Sequence, residues 1–353
     1  METTIANLLD AAMKCGASDL HITAGIKPKC RVNGELVEMQ DFDTLCQDKT
    51  KEIIFETLTP YHRAILEEKG EVDYSYELTD KARFRVNAFR QRGSYAAALR
   101  IINNDIPSAA SLGIPASVVE LVHKKRGLVL VTGPTGSGKS TTLASLIDLI
   151  NKEQNVHIVT LEDPIEYLHK HNKAIVNQRE VGSDTNSFAN ALRAALREDP
   201  DVILVGEMRD LDTISTAITA AETGHLIFAT LHTIGAAATI DRIIDVFPPH
   251  QQPQVRVQLS MVLESVISQR LLPTRDGKGR VAAFEVMNGS TAIKNLVREG
   301  KTHQIDAAIQ TSKKMGMQTM DDALYDLYLK YKIDGMKAIE YAQNPVAMQE
   351  KIY

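Results

Sequence analysis

Gly133-Pro134-Thr135-Gly136-Ser137-Gly138-Lys139-Ser140-Thr141 stands between an apolar run, Leu128 to Thr132, and a helix-like run, Thr142 to Ile150. A glycine-rich loop in that position turns successive backbone N–H groups inward, and the partial positive charge at the start of the following helix adds attraction for an anion. Lys139 is spaced to reach the β- and γ-phosphates, and Ser140 supplies the hydroxyl that ligates Mg²⁺ in such loops. A Gly/Ser turn that merely holds a lysine would not need the strand before it and the helix after it. The chain is therefore expected to bind ATP and Mg²⁺ through Gly133, Pro134, Thr135, Gly136, Ser137, Gly138, Lys139, Ser140 and Thr141.

Outward from the loop, strands alternate with helices. Buried-looking strands are expected at Gly127 to Thr132, Val156 to Leu161, Val202 to Val205 and His225 to Leu231, with helices at Thr141 to Asn151, Ser187 to Glu198 and Leu211 to Ala221. That order predicts an α/β fold whose mostly parallel sheet is covered on both faces, with ligand at the carboxyl ends of the strands. Past Pro248 the pattern becomes helical: Val255, Leu259, Val262, Leu263, Val266 and Ile267 fall on one stripe, and helices follow at Thr291 to Glu299 and Thr319 to Lys332.

Before residue 115 the character differs. A helical spacing at Ile5, Leu8, Leu9 and Ala12 precedes short alternating segments, Asp19 to Thr23, Lys29 to Val32, Glu35 to Met39, Val72 to Glu77, Ala82 to Phe89 and Tyr95 to Ile101. An Asn33-Gly34 hairpin turn and a helical stretch from Thr50 to Glu68 complete a small, separately folded α+β domain. The expected boundaries are a small domain over 1–102, a linker over 103–116 carrying Pro107, Gly113 and Pro115, a core over 117–272 and a C-terminal helical region over 273–353.

Composition narrows the function. The 353 residues are 44% hydrophobic and 24% charged, ordinary for two or three globular domains, and the net charge is −5. With no Trp and 5% aromatic residues, the chain lacks the basic groove and stacking aromatics that a nucleic-acid motor of the same core fold would want, so no nucleic acid partner is expected. A regulatory nucleotide sensor without a motor role is a third reading. No apolar run approaches a membrane span, so a cytoplasmic location is expected, with any membrane attachment through a partner. Cys15, Cys30 and Cys46 read as free thiols, and their positions exclude a Cys₄ zinc module.

Three further constellations lie at strand ends. The acidic run Glu162-Asp163-Pro164-Ile165-Glu166 leaves an apolar strand and can hold metal-bound water or polarise the attacking one, although a solvated turn would look similar. Ile203-Leu204-Val205-Gly206-Glu207, followed by Met208-Arg209-Asp210, ends a second strand in a carboxylate. Glu207 is the first choice for positioning the water and, through water, for Mg²⁺, with Glu162 the alternative. Histidines bracket a third strand: His232, at its carboxyl end, is the better γ-phosphate sensor, whereas His225 at the opposite end suits coupling to neighbouring contacts.

These four blocks resemble, in order, the Walker A, Asp-box, Walker B and His-box elements of the ATPases that drive type II secretion and type IV pili. Within that superfamily the chain is similar to the pilus-retraction, twitching-motility branch over nearly its whole length. Ala17-Ser18-Asp19-Leu20-His21-Ile22, Ala82-Arg83-Phe84-Arg85-Val86-Asn87, Val176-Asn177-Gln178-Arg179-Glu180-Val181 and Arg197-Glu198-Asp199-Pro200-Asp201 carry the likeness. Ala292-Ile293-Lys294-Asn295-Leu296-Val297-Arg298-Glu299 resembles the branch's C-terminal signature, with Lys294 and Val297 where Arg and Ile are common. Extension and type II secretion ATPases, the alternative assignment, typically add a long N-terminal region and a tetracysteine zinc module, which this chain is expected to lack. The resemblance implies a PAS-like N-terminal domain, a RecA-like core, a homohexamer, ATP hydrolysis and arginines supplied by the small domain, matched here by Arg85 and Arg100 with Arg83 a third candidate. It further implies an inner-membrane platform protein as partner, and a paralogous retraction ATPase as another. Glu166 and Arg209 are further candidates at the acidic strand ends.

Overall fold

The computed structural model describes residues 2–32, 34–78, 82–102 and 105–353. Asn33 of the expected hairpin turn and the first two residues of the expected linker lie outside the described residues. The chain forms two compact units, Met1–Asp105 with Pro164–Leu168, and Ile106–Asp163 with His169–Tyr353.

The first unit runs α1 (Ile5–Lys14), β1 (Asp19–Thr23), β2 (Lys29–Val32), β3 (Glu35–Glu38), α2 (Gln47–Phe55), α3 (Pro60–Lys69), β4 (Glu71–Leu78), β5 (Ala82–Gln91) and β6 (Ser94–Ile102). Its strands form one antiparallel sheet ordered β3-β2-β1-β6-β5-β4. Leu8, Leu9, Leu20, Ile53, Leu66, Phe84, Val86 and Leu99 pack its core. The alternation Phe84, Val86, Ala88 inward leaves Arg83, Arg85 and Asn87 on the opposite face of β5. The helical stretch expected from Thr50 to Glu68 is two helices. Pro60 cannot extend a preceding helix but suits a first turn, and the Thr59 hydroxyl caps that turn by accepting from the His62 N–H.

The second unit continues with α4 (Ala116–Val119), β7 (Gly127–Thr132), α5 (Lys139–Glu153), β8 (His157–Glu162), β9 (Ile175–Glu180), α6 (Phe188–Ala195), β10 (Val202–Val205), α7 (Leu211–Glu222), β11 (Leu226–Leu231), α8 (Ala236–Asp245), α9 (Gln252–Val262), β12 (Leu263–Pro273) and β13 (Arg280–Asn288). It closes with α10 (Thr291–Glu299), α11 (Ile305–Thr311), α12 (Met320–Leu329), α13 (Gly335–Tyr341) and α14 (Pro345–Ile352). The sheet order is β13-β12-β7-β11-β10-β8-β9, parallel except for the antiparallel edge strand β13. Successive strand residues feed two cores: Leu128, Leu130, Ile203 and Val205 face one layer, Val129, Val131, Val202 and Leu204 the other. This is the doubly covered α/β core that the alternating pattern predicts. No helix among the described residues is long and apolar enough to cross a membrane.

Two expectations need correction. The helical stripe from Val255 to Ile267 ends at Val262; Leu263 turns extended, and Val266 and Ile267 belong to β12, each facing a different core layer. A stripe of apolar residues with i, i+3 and i+4 spacings also fits a strand buried on both faces, so periodicity alone could not separate them. The sheet accordingly continues into the stretch read as helical, through β13. Strand β9 shows no apolar run because it is an edge strand, with Asn177, Gln178 and Arg179 along it.

Candidate active site

Four neighbouring parallel strands, β7, β11, β10 and β8, set the site, because each ends at the same edge of the sheet. In that spatial order their exits carry the glycine-rich loop, His232, Glu207 and Glu162. Adjacent strands lie about 4.8 Å apart, so residues from four separate sequence blocks meet along one edge.

The loop begins at Gly133, where φ is +139° and any Cβ would collide with the Gln269 carbonyl of β12. Gly138, with φ +90°, caps α5 in the left-handed conformation. Lys139 is buried, and its ammonium donates to the carbonyls of Gly133 at 2.8 Å and Pro134 at 3.1 Å, which holds the side chain back over the loop. Ser140 follows on the exposed first turn of α5. The Ser137 hydroxyl is buried close against Gly133, with no hydrogen-bond partner among the described residues. Thr142 donates to the Gln269 side-chain oxygen at 2.9 Å, tying the helix after the loop to β12.

Glu207 lies one residue beyond Gly206, whose N–H donates to the Leu161 carbonyl at 2.7 Å and whose carbonyl accepts from Thr230. These bonds clamp the exit of β10 between β8 and β11. The Glu207 carboxylate is 2.9 Å from His232 Nε2 and also pairs with Arg209, whose basicity is raised first by that hydrogen bond and then by the carboxylate's charge. Asp210 does different work: it accepts from the Thr213 N–H at 2.8 Å and the Thr213 hydroxyl at 2.9 Å, capping α7.

Glu162, the last residue of β8, accepts at Oε1 from the Thr160 hydroxyl at 2.7 Å and from the Gln178 amide of β9 at 3.0 Å. The edge strand thus orients the second carboxylate. Glu166 falls in the segment Pro164–Leu168, which groups with the first unit, so the acidic block is divided between units after Asp163. His225 sits at the start of β11, at the opposite sheet edge from His232, with Nδ1 3.0 Å from the Ala220 carbonyl at the end of α7.

Arg85 and Arg100 are in the first unit, directly opposite each other in the β5–β6 register. Arg85 makes a two-nitrogen contact with Asp73, closest approach 2.6 Å, and Arg100 Nε lies 3.0 Å from Asp19. Arg83 donates to Ser75 at 2.6 Å. Thr160, Gln178 and Gln269 are supporting residues that sequence reasoning did not single out. Gln269 lies within β12, in the stretch just past the stripe whose spacing predicts a helix, so no strand-end signal marks it.

A glycine-rich phosphate loop beside a row of strand ends bearing His232, Glu207 and Glu162 defines a P-loop ATPase core. The chain belongs to the type II/IV secretion system protein family, whose profile matches residues 1–328. It is 50% identical over 341 residues to the type IV pilus retraction ATPase PilT of Pseudomonas aeruginosa, covering 97% of this chain and 98% of that one. It is 49% identical to a twitching motility protein of Neisseria gonorrhoeae, over 91% of this chain and 86% of that one. A crystal structure of the pilus retraction motor PilT with bound ADP is 52% identical and covers 99% of this chain and 100% of its own, with a TM-score of 0.93.

Proposed function

We propose that this chain is the ATP-driven motor of type IV pilus retraction, acting as a homohexamer at the cytoplasmic face of the inner membrane. The observation that carries the hydrolytic part is the His232–Glu207 pair standing beside the phosphate loop on adjacent strand ends. The pilus part is supported by the retraction relatives, which match nearly the whole chain.

In this reading the loop amides and Lys139 take the β- and γ-phosphates, with the ammonium exchanging its loop carbonyls for phosphate oxygens. Glu207 accepts from the attacking water and aligns it with the γ-phosphorus, while His232 holds the carboxylate and reports the γ-phosphate. Glu162, fixed by Thr160 and Gln178, is the second acceptor at the same edge. Arg85 and Arg100 are the cations that stabilise charge on the transferring phosphoryl group as the site closes. A hydroxyl and carboxylates are hard oxygen donors that suit magnesium; Ser140 would hold it directly and Glu207 through water, and when bound it neutralises phosphate charge. The inner-membrane platform protein of the pilus is the partner that receives the movement, and a paralogous retraction ATPase is a second partner.

Deleting the gene tests the assignment. Hyperpiliated cells that do not twitch, restored by the wild-type chain but not by Glu207→Gln, support retraction. Bald cells would assign the chain to pilus assembly instead, and strong stimulation of turnover by DNA would sink both pilus readings.

A further inference from the structure

Glu285, on β13, is 1% exposed and carries a carboxylate outside the row of strand ends. Its Oε1 accepts from the backbone N–H of Ala236 at 2.6 Å, the first residue of α8. Its Oε2 accepts from the backbone N–H of Met320 at 3.3 Å, the first residue of α12, and from the Gln343 amide at 2.9 Å. One buried carboxylate therefore closes the N-termini of two helices far apart in sequence, where helix partial charge favours it. Burial pushes its pKa above the usual carboxylate range, and the Ala236, Gln343 and Met320 donors work against that rise.

The two oxygens face different machinery. Ala236 follows His232 after Thr233, Ile234 and Gly235, and the Gly235 N–H donates to the Ser268 hydroxyl of β12 at 2.9 Å. The loop after His232 is thus pinned by both strands of the β12–β13 hairpin. On the other side, Met320, Ala323, Leu324, Ile333, Ala338 and Met348 pack with Leu272 and Ala283 as a cluster of their own. Asp321 accepts from the N–H groups of Gln343 at 2.6 Å and Asn344 at 3.0 Å, so α12 and the start of α14 are joined where they meet Glu285. A packed cluster shifts as a body rather than deforming atom by atom.

We infer that Glu285 is a positioning residue for ATP turnover: it fixes the loop that aims His232 at Glu207 and passes a displacement of the α12–α14 cluster to that pair. The inference rests on His232 and Glu207 acting at the γ-phosphate. A residue that only filled space here would affect folding without separating turnover from nucleotide binding.

The test uses the full chain, with kcat and KM for ATP, ADP affinity from a fluorescent analogue, and melting temperature. Glu285→Gln keeps the volume but turns one acceptor into a donor, so either the Ala236 or the Met320 backbone N–H loses its acceptor. We expect kcat to fall roughly 3- to 30-fold with KM and ADP affinity near wild type. Wild-type kcat in Glu285→Gln, or a joint fall of kcat and ADP affinity, overturns the inference. If Glu285→Gln does not fold, Gln343→Ala, which removes only the C-terminal contact, carries the test, and an unchanged kcat overturns it. His232→Ala in parallel separates the two levels. Normal turnover there sinks the site reading itself, whereas slow His232→Ala with normal Glu285→Gln sinks this inference alone.

Discussion

Arg85 stands directly opposite Arg100 across β5 and β6, in a register row that continues to Asp19 on β1 and Ser75 on β4. Two like charges facing each other on a sheet repel, and each is held by its own carboxylate, Asp73 for Arg85 and Asp19 for Arg100. Burial works against charge on Asp19, but hydrogen bonds from Ser18 and Arg100, with the arginine's charge, keep its carboxyl below the usual range. The arginine of each pair is open to solvent, so each pair contributes at most about 1 kcal/mol to stability. Arg85→Ala and Arg100→Ala should melt near wild type yet lower ATP turnover by roughly 10³-fold or more, as loss of a transition-state arginine does. Unchanged turnover would leave them as solvated strand residues.

The close approach of Glu207 and His232, 2.9 Å apart, predicts non-additivity. Glu207→Gln should cut kcat by roughly 10²-fold or more while ATP affinity persists, because it removes an acceptor needed at the water and not at the nucleotide. His232→Ala should cost less, and the double variant less than the product of the two. A product of independent effects in the kinetic cycle would argue that the two residues act separately. Should Glu207→Gln turn over normally, Glu162 becomes the residue that positions water.

Gln178 and Thr160 offer a milder probe of Glu162. Removing either donor, as Gln178→Ala or Thr160→Val, frees the carboxylate to reorient without deleting it. Each should reduce kcat by roughly 3- to 10-fold with KM little changed, since a positioning hydrogen bond is worth about 1 kcal/mol. An effect confined to KM would place Glu162 in nucleotide binding rather than in the chemical step.

His169 gives the chain an acid-sensitive element. Burial lowers its pKa from 6.5 to about 4, partly offset by the charge of Asp148. The folded state therefore resists the proton that the unfolded chain accepts. This contribution to stability is intact above pH 6.5 and is lost as pH falls toward 4, by roughly 3 kcal/mol over that window. Denaturant titrations at several pH values should show a steeper loss for wild type than for His169→Gln. Coincident slopes would mean that burial does not hold the ring neutral.

The core was legible because its strands are short apolar runs ending in chemically distinctive residues: Gly133 onward, Glu162, Glu207 and His232. Side-by-side placement of those ends follows from parallel topology, which alternating strands and helices predict. Residues that act through geometry left weaker traces. Gln178 lies on an edge strand with no apolar pattern, and Glu285 reads as one carboxylate among many until three donors are seen around it. Gln269 was hidden because the spacing from Val255 to Ile267 satisfies a helix as well as a buried strand.

The backbone leaves one unit for the other not only at Asp105–Ile106 but again at Asp163–Pro164 and Leu168–His169. This limits how the chain can be dissected. A truncated protein beginning at Ile106 would retain the phosphate loop, Glu207 and His232, yet would strand Pro164–Leu168 without the unit to which it belongs. The orphaned segment starts two residues after Glu162. Weak activity in such a fragment would therefore report a damaged carboxylate exit as much as missing arginines, and point substitutions in the intact chain are the sounder route to separating the two.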